Sequence, residues 1–267
     1  MKTSNKYSWQ TSLQLIFHFL GAGSLRNIYR CFLISFLASN VATAQQFIAD
    51  NQWVAPHGSA TIIGTAGQDY SQFVAVAALI PEWEFNAQLI HYYDNPKTNS
   101  DSYTSSTFFA KRRLIQNEAE TAGYAIAAGV GLFPQHLDQG EVLSNFQSYF
   151  ANAIATYAFA NNNVLLDIVP GATVNFDHKQ SNSTAWGFTY SSRLAAYKII
   201  PQSAIVAEVF GTAGEARSPI SYRAGVRWES PKLIVSGTYS SAFRSSFGVG
   251  FEIGIVLFTK PFFGIGH

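Results

Sequence analysis

Charged residues near the C-terminal end of the chain are spaced so that their side chains can meet. Glu208 lies on one predicted strand, and Arg223 and Arg227 lie four residues apart on the next. Alternate side chains of a strand share a face, so both arginines point the same way. If the intervening loop centres near residue 216, position 208 pairs with position 225 and Glu208 lies diagonal to both arginines. Glu229 and Lys232 flank the following turn and would pair directly.

Carboxylates and guanidinium groups in this arrangement support either of two roles. A charged constriction inside a channel sets which solutes pass. A ladder of buried ion pairs would instead fill and brace a narrow interior. Since a polar interior can serve either role, the charges alone do not name a solute.

Further charged residues fall on the same predicted face. Lys111 and Arg113 face one side of a strand, and Arg112 between them faces the other, where it would lie near a membrane interface. A basic side of the interior would favour anions. The residues that we expect to line the interior are Glu82, Glu84, Lys111, Arg113, Arg193, Glu208, Arg223, Arg227, Glu229 and Glu252.

A catalytic serine is the alternative chemistry. A nucleophilic serine needs a histidine base within reach, and His57 and Ser59 would share a strand face. No third residue that could orient the histidine lies nearby, so we expect no enzyme. His91, His136 and His178 lie at or near predicted loops, where we expect them to be solvated or interfacial. No spacing matches a metal site, and no cofactor is expected.

The segments that carry these residues alternate with a period of two. In the segment from 220 to 229, one face carries Tyr222, Ala224, Val226 and Trp228, and the other carries serine, glycine and charge. The last segment places Phe247, Val249, Phe251, Ile253, Ile255 and Leu257 on one face. Such alternation is typical of a strand between two different environments.

The pattern predicts twelve strands, or ten if Pro170 breaks its strand and the short first segment does not count. The predicted strands are 59–66, 70–80, 82–95, 103–116, 118–133, 145–160, 163–176, 183–199, 203–215, 220–229, 231–242 and 247–258. Tight turns at Pro81, Asn117, Asn161–Asn163, Pro201 and Ser230 alternate with longer polar links, notably 94–102, 134–144 and 177–184. Because proline cannot donate to a ladder, a bulge or a break is expected at Pro170.

Composition decides which environment the apolar faces meet. Charged residues are only 12% of the chain and aromatic residues are 15%. Most predicted strands reach the 9–11 residues that a tilted transmembrane strand needs. The sequence therefore predicts an all-β fold, an antiparallel up-and-down barrel in the bacterial outer membrane, monomeric and surrounded by lipid and lipopolysaccharide. The net charge of +1 gives no reason to expect a nucleic-acid partner.

The N-terminal region reads as a leader. Basic residues, a short apolar run and Ala42-Thr43-Ala44 predict a signal peptide at 1–44, which contains the single cysteine, Cys31. A signal anchor in the inner membrane is the alternative. We expect a periplasmic lead-in or an extra short strand at 45–58, the barrel at 59–258 and a tail at 259–267. The last strand ends at Phe258 or at Phe262-Phe263.

The sequences SYRAGVRWESPKLIVSGTYSSAF and FGVGFEIGIVLFT, within residues 203–259, resemble the closing strands of a family of outer-membrane channels. That family is the one associated with the MetA pathway of phenol degradation. The resemblance implies an uptake channel for small, often hydrophobic compounds. We therefore expect passive passage of a small solute, with an outer-membrane lipid hydrolase and a plugged structural barrel as alternatives.

Overall fold

The structure is a computed structural model that describes residues 51–94, 96, 99–138, 141–177, 184–243 and 250–262. The predicted signal peptide, the lead-in up to residue 50 and His178 lie outside the described residues. No helix in the described part of the chain is long and apolar enough to cross a bilayer. The strands are β1 (Ala60–Gly67), β2 (Tyr70–Ile80), β3 (Trp83–Tyr92), β4 (Tyr103–Gln116), β5 (Gly123–Phe133), β6 (His136–Asp138), β7 (Glu141–Leu143), β8 (Phe146–Phe159), β9 (Val164–Asp177), β10 (Thr184–Tyr197), β11 (Ser203–Gly214), β12 (Ser218–Glu229), β13 (Leu233–Ala242) and β14 (Gly250–Phe258).

Twelve of these strands form a closed antiparallel barrel in which sequential neighbours pair and β1 closes against β14. The all-β fold and the count of twelve are confirmed, and β14 ends at Phe258. The remaining two strands, β6 and β7, pair with each other in a separate hairpin inside the link between β5 and β8. That hairpin was not predicted.

The outer wall of the barrel is apolar. In β14, Phe251 and Ile253 are 67% and 64% exposed, whereas Glu252 between them is 4% exposed. An apolar surface that covers a whole wall far exceeds the patches of soluble monomers, and hydrocarbon is the environment that accepts it. The predicted division of β12 and β14 into an apolar outer face and a polar inner face is confirmed.

Aromatic side chains lie near the ends of several strands on this outer wall, and others, such as Phe108, lie nearer the middle. The exposed ones near strand ends include Tyr93, Tyr149, Phe159, Trp186, Trp228 and Tyr239. Arg112 also faces outward, with its guanidinium 5.4 Å from the centroid of the Trp83 ring. Aromatic rings at both rims and a cation beside one of them match the interfacial girdles of membrane barrels.

The two ends of the barrel differ in their connections. At one end, the turn end, adjacent strands are joined by the short links 81–82, 117–122, 160–163, 198–202 and 230–232. At the opposite loop end lie 68–69, 93–102, 134–145, 178–183, 215–217 and 243–249. Short turns face the periplasm in outer-membrane barrels, and by this rule the loop end faces the outside of the cell.

Two expectations about strand boundaries were wrong. Residues 118–122 form a turn, because the Asn117 side-chain oxygen accepts hydrogen bonds from the backbone amides of Thr121 (2.8 Å) and Ala122 (3.0 Å). Pro170 neither breaks β9 nor introduces a bulge, because the register with β8 is the same on both sides of it. The pairings of Pro170 with Ala153 and of Val169 with Ile154 are missing from that ladder, next to the one residue that lacks an N–H.

The assignment of the outer wall to lipid can be tested with a charge. Replacing Ile253, near the middle of β14, by arginine should lower the free energy of unfolding in lipid by about 2–4 kcal/mol. The matched control is Val142→Arg, since Val142 is 55% exposed on the β6–β7 hairpin, outside the wall. Urea unfolding in liposomes measures both, and an equal loss in the two variants would contradict the assignment.

Candidate functional site

The interior of the barrel has two chemically different halves. Nine Asp, Glu, Lys and Arg side chains are buried in the described residues. Each of them contacts at least one side chain of opposite charge, and we call this set the ion-pair layer: Glu84, Lys111, Asp167, Arg193, Glu208, Arg223, Arg227, Glu229 and Glu252. The layer occupies the middle and the turn-end half, and a cavity occupies the loop-end half.

Arg223 is the centre of the layer, because it joins two carboxylates from different strands. Its Nη1 lies 3.4 Å from Glu208 Oε2, and its Nε lies 3.0 Å from Glu252 Oε2. Thr238 and Ser240 on β13 each donate a hydrogen bond of 3.1 Å to Glu252. The carboxylates therefore receive both charge and hydrogen bonds, as buried ions require.

The predicted register of this cluster was wrong by two residues. Glu208 lies directly opposite Arg223, not opposite position 225. Beside the loop Thr212 pairs with Ser218, and one extra residue on β12 between this pair and the pair of Phe210 with Ser221 then brings Arg223 opposite Glu208. As a result Glu208 contacts Arg223 but not Arg227.

Arg227 belongs to a second group nearer the turn end. Its side chain forms an ion pair with Glu229 on the same strand and hydrogen-bonds the hydroxyl of Tyr197. Its guanidinium also lies 5.4 Å from the Tyr197 ring centroid. The predicted partner of Glu229 was Lys232, but Lys232 is exposed in the turn, so that prediction was wrong.

Asp167 and Arg193 form the most deeply buried pair, with both side chains at 0% exposure. They lie directly opposite each other on β9 and β10, and Thr156 donates a 2.6 Å hydrogen bond to Asp167. Sequence analysis missed Asp167, which lies in the apolar run VLLDIVPG. The feature of the sequence that could have indicated it is a single carboxylate at an inward position of this apolar run.

Glu82 does not line the interior as predicted. It lies in the turn before β3 with φ 70°, and its side chain is 48% exposed. Arg113 meets it there through two hydrogen bonds of 2.7 and 2.8 Å, so this pair lies at the turn-end rim. By contrast, Glu84 and Lys111 are inside and form an ion pair of 2.7 Å.

The described part of the lead-in lies inside the turn end of the barrel and adds no strand to the wall. Gln52 is fully buried, and its backbone amide donates to Thr156 Oγ1 at 3.1 Å. Lys111 Nζ donates to the backbone oxygen of Trp53 at 2.6 Å. Glu84 accepts a hydrogen bond of 2.6 Å from the amide of Ala55. Residues 51–55 therefore make no strand and bind to the ion-pair layer and the hydroxyl beside it.

The loop-end cavity has a volume of about 410 Å³. It is lined by Phe133, Phe146, Ser148, Phe150, Asn152, Val169, Thr173, Asn175, Thr189, Tyr190, Ser191, Phe210, Gly211, Thr212, Ala216 and Ser218. None of these side chains carries a charge. Two of them separate the cavity from the ion-pair layer: Ser191 donates to Glu208 at 3.0 Å, and the Phe210 ring centroid lies 5.6 Å from the Arg223 guanidinium.

A stack of aromatic rings occupies the opposite side of the loop end. Ring centroids are 6.3 Å apart between Tyr70 and Tyr92, 4.6 Å between Tyr92 and Tyr103, and 3.7 Å between Tyr103 and His136. His136 begins β6, so the stack attaches the β6–β7 hairpin to the wall. The expectation that His136 is solvated was wrong, because it is buried. His91 is exposed on the outer face, as expected.

The predicted serine–histidine pair is not assembled. Ser59 Oγ donates to the backbone oxygen of Pro56 at 2.5 Å, and His57 Nε2 lies 3.1 Å from the backbone oxygen of Leu79. Each side chain is thus engaged by backbone and not by the other. The described residues also contain no group of three His, Cys, Asp or Glu side chains that could hold a metal ion.

Comparisons with known proteins agree with this architecture. No family model matches the chain, and no curated protein matches it. The COG4313 outer membrane channel from Pseudomonas putida F1 has a similar fold, with a TM-score of 0.50 at 13% identity over 80% of this chain and 100% of that one. The chain is a bacterial outer-membrane β-barrel.

Two further solved structures match with TM-scores below 0.5. LpxR from Salmonella typhimurium has a TM-score of 0.45 at 9% identity, over 75% of this chain and 100% of its own. The beta domain of the Bordetella autotransporter Brka has a TM-score of 0.44 at 11% identity, over 76% of this chain and 98% of its own. At these identities the likeness extends to the fold and not to activity.

The fully buried pair of the barrel gives a stability prediction. Asp167→Leu removes a carboxylate that pairs with the buried Arg193, and should lower the free energy of unfolding by about 3–5 kcal/mol. The double variant Asp167→Leu with Arg193→Met removes both charges and should recover most of that loss. Denaturant unfolding in detergent measures both. A double variant as unstable as the single one would show that the carboxylate acts through something other than Arg193.

The rim pair gives a pH prediction. The hydrogen bond from Arg113 holds the pKa of Glu82 below its usual range. Stability from the pair is therefore fully present above the ordinary glutamate pKa and is lost as pH falls through the lowered one. Glu82→Gln keeps the backbone strain but removes the charge, and should cost about 0.2–1 kcal/mol at pH 7 and nothing at pH 2. An unfolding series from pH 7 to 2 measures this, and a pH-independent loss would contradict it.

Proposed function

We propose that this protein is a passive channel that admits a small solute at the loop end and is closed at the turn end by residues 51–55. The observation that carries the proposal is the division of the interior. A cavity of about 410 Å³ lies in the loop half, and residues 51–55, which lie against the ion-pair layer at the turn end, are not part of the wall. The segment is held by hydrogen bonds and by packing of Trp53, and it can leave without breaking any strand pairing.

The charges of the interior support a channel that does not select by charge. All nine buried acidic and basic side chains of the described residues lie in ion pairs. Paired charges cancel most of their field at a distance. The predicted preference for anions is therefore not part of this proposal. The proposal also includes three expectations from the sequence. They are the likeness to the MetA-pathway channel family, a monomeric state and contact with lipopolysaccharide.

Single-channel recording tests the proposal with two truncated chains. A chain that begins at Pro56 lacks the filling segment and should conduct several-fold more than the untruncated mature chain in a planar bilayer. The matched control begins at Asn51, keeps the segment and should conduct like the untruncated chain. Absence of current from the Pro56 variant would overturn the channel and favour a plugged structural barrel.

The alternative of a lipid hydrolase finds little support. The candidate nucleophile named from the sequence, Ser59, donates to the backbone of Pro56, and His57 lies against the backbone oxygen of Leu79. Hydrolysis of lipid A or phospholipid by the purified protein, abolished in Ser59→Ala, would revive it.

A further inference from the structure

The lining of the loop-end cavity is divided between two kinds of side chain. One wall is phenyl: Phe133 and Phe146 stack with centroids 4.4 Å apart, and Phe150 lies beside them on the same inner face of β8 as Phe146. The remainder is mostly hydroxyl and amide, from Ser148, Asn152, Thr173, Asn175, Thr189, Ser191, Thr212 and Ser218. Ser148 and Asn152 alternate with Phe146 and Phe150 along the inner face of β8, so the cavity offers ring contacts and hydrogen bonds side by side.

The polar wall has hydrogen-bonding capacity to spare. Ser148 and Thr173 share one hydrogen bond of 2.9 Å, and Thr189 donates one of 3.2 Å to Asn152. Each hydroxyl oxygen retains further lone pairs. The side-chain oxygen of Asn175 is buried and has no hydrogen-bond partner among the described residues. Rotation about its soft terminal torsion would present it to a donor in the cavity without breaking a bond seen here.

Room for the amide of Asn152 is built into the backbone. A Cβ at Gly171 would lie only 1.9 Å from Asn152 Oδ1 and 2.6 Å from Thr189 Oγ1. Only glycine therefore lets Asn152 lie across the neighbouring strand, where it forms part of the cavity floor. The polar floor therefore depends on glycine at position 171, which pairs directly with Asn152 on β8.

Size and charge restrict the occupant. An engineered apolar cavity of about 150 Å³ holds one benzene molecule, so about 410 Å³ accommodates roughly two rings. A charged group would enter a space whose lining carries no counter-ion, at a high desolvation cost. A purely apolar molecule would leave the hydroxyl and amide wall without hydrogen bonds.

We propose that the loop-end cavity is a binding site for an uncharged molecule in which an aromatic ring is joined to a hydroxyl-rich unit, such as an aryl glycoside. The ring packs against the phenyl wall formed by Phe133, Phe146 and Phe150. The hydroxyl groups bind Asn175, Thr173 and Ser148. The site rests on the proposed function and names the class of solute that the channel would take.

Two probes of equal size test this proposal by isothermal titration calorimetry. They are 4-nitrophenyl β-glucoside, which is neutral, and 4-nitrophenyl β-glucuronide, which carries a carboxylate. The protein is held in an amine-oxide detergent, because a glycoside detergent would compete, and heats from empty micelles are subtracted. The glucoside should bind about 100-fold more tightly than the glucuronide. Equal binding of the two, or binding of neither, would overturn the proposal.

Cavity variants separate the site from partition into detergent. Asn175→Leu and Thr173→Val should each weaken glucoside binding by about 3- to 10-fold. The matched control is Thr184→Val, since Thr184 is exposed on the outer face of β10. Unchanged binding in both cavity variants would place the glucoside elsewhere and reject the site. If one variant does not fold, as judged by heat-modifiable migration on a gel, the other decides.

The outcome is independent of the conductance experiment. Glucoside binding without current would keep the site and reject the channel. Current from the Pro56 variant without glucoside binding would keep the channel and reject this class of solute.

Discussion

The constraint on which this structure depends is the closure of the backbone hydrogen-bond ladder between β1 and β14. In hydrocarbon no water satisfies a backbone N–H or C=O group, so a sheet in the membrane must close on itself. Closure with twelve strands gives a narrow interior, and the strict alternation of side chains sends every second residue into it. The side chains at the inward positions are therefore packed closely together inside the barrel.

Crowding explains why the interior charges occur in pairs. A buried ion is tolerated only when an opposite charge and hydrogen bonds surround it, and a narrow barrel brings inward positions of neighbouring strands into contact. Arg223 satisfies this condition by contacting Glu208 on one side and Glu252 on the other. Ser191 and Phe210 then isolate these charges from the loop-end cavity, so that one interior holds both a charged layer and a neutral space.

Much of the fold, but less of the site, could be predicted from the sequence. Alternation alone assigned Arg223, Arg227 and Glu252 to the inner face, because the face depends only on parity along a strand. Which charges meet depends on register, and the pairing of Thr212 with Ser218 beside the loop, followed by one extra residue on β12, places Glu208 opposite Arg223 and not opposite position 225. The lead-in gave no signal, because its residues are held by separate hydrogen bonds and by packing of one tryptophan against distant strands, and not by a repeating pattern.

Those distant contacts also order the events of folding. The amide of Gln52 bonds a residue 104 positions away, and that of Ala55 bonds a residue 29 positions away. The hydroxyl and carboxylate that receive them lie on β8 and β3, and the amine that binds Trp53 lies on β4. Residues 51–55 thus precede the barrel in the chain but can dock only after β3, β4 and β8 have come together. The first described segment of the chain therefore docks later than strands that follow it in sequence.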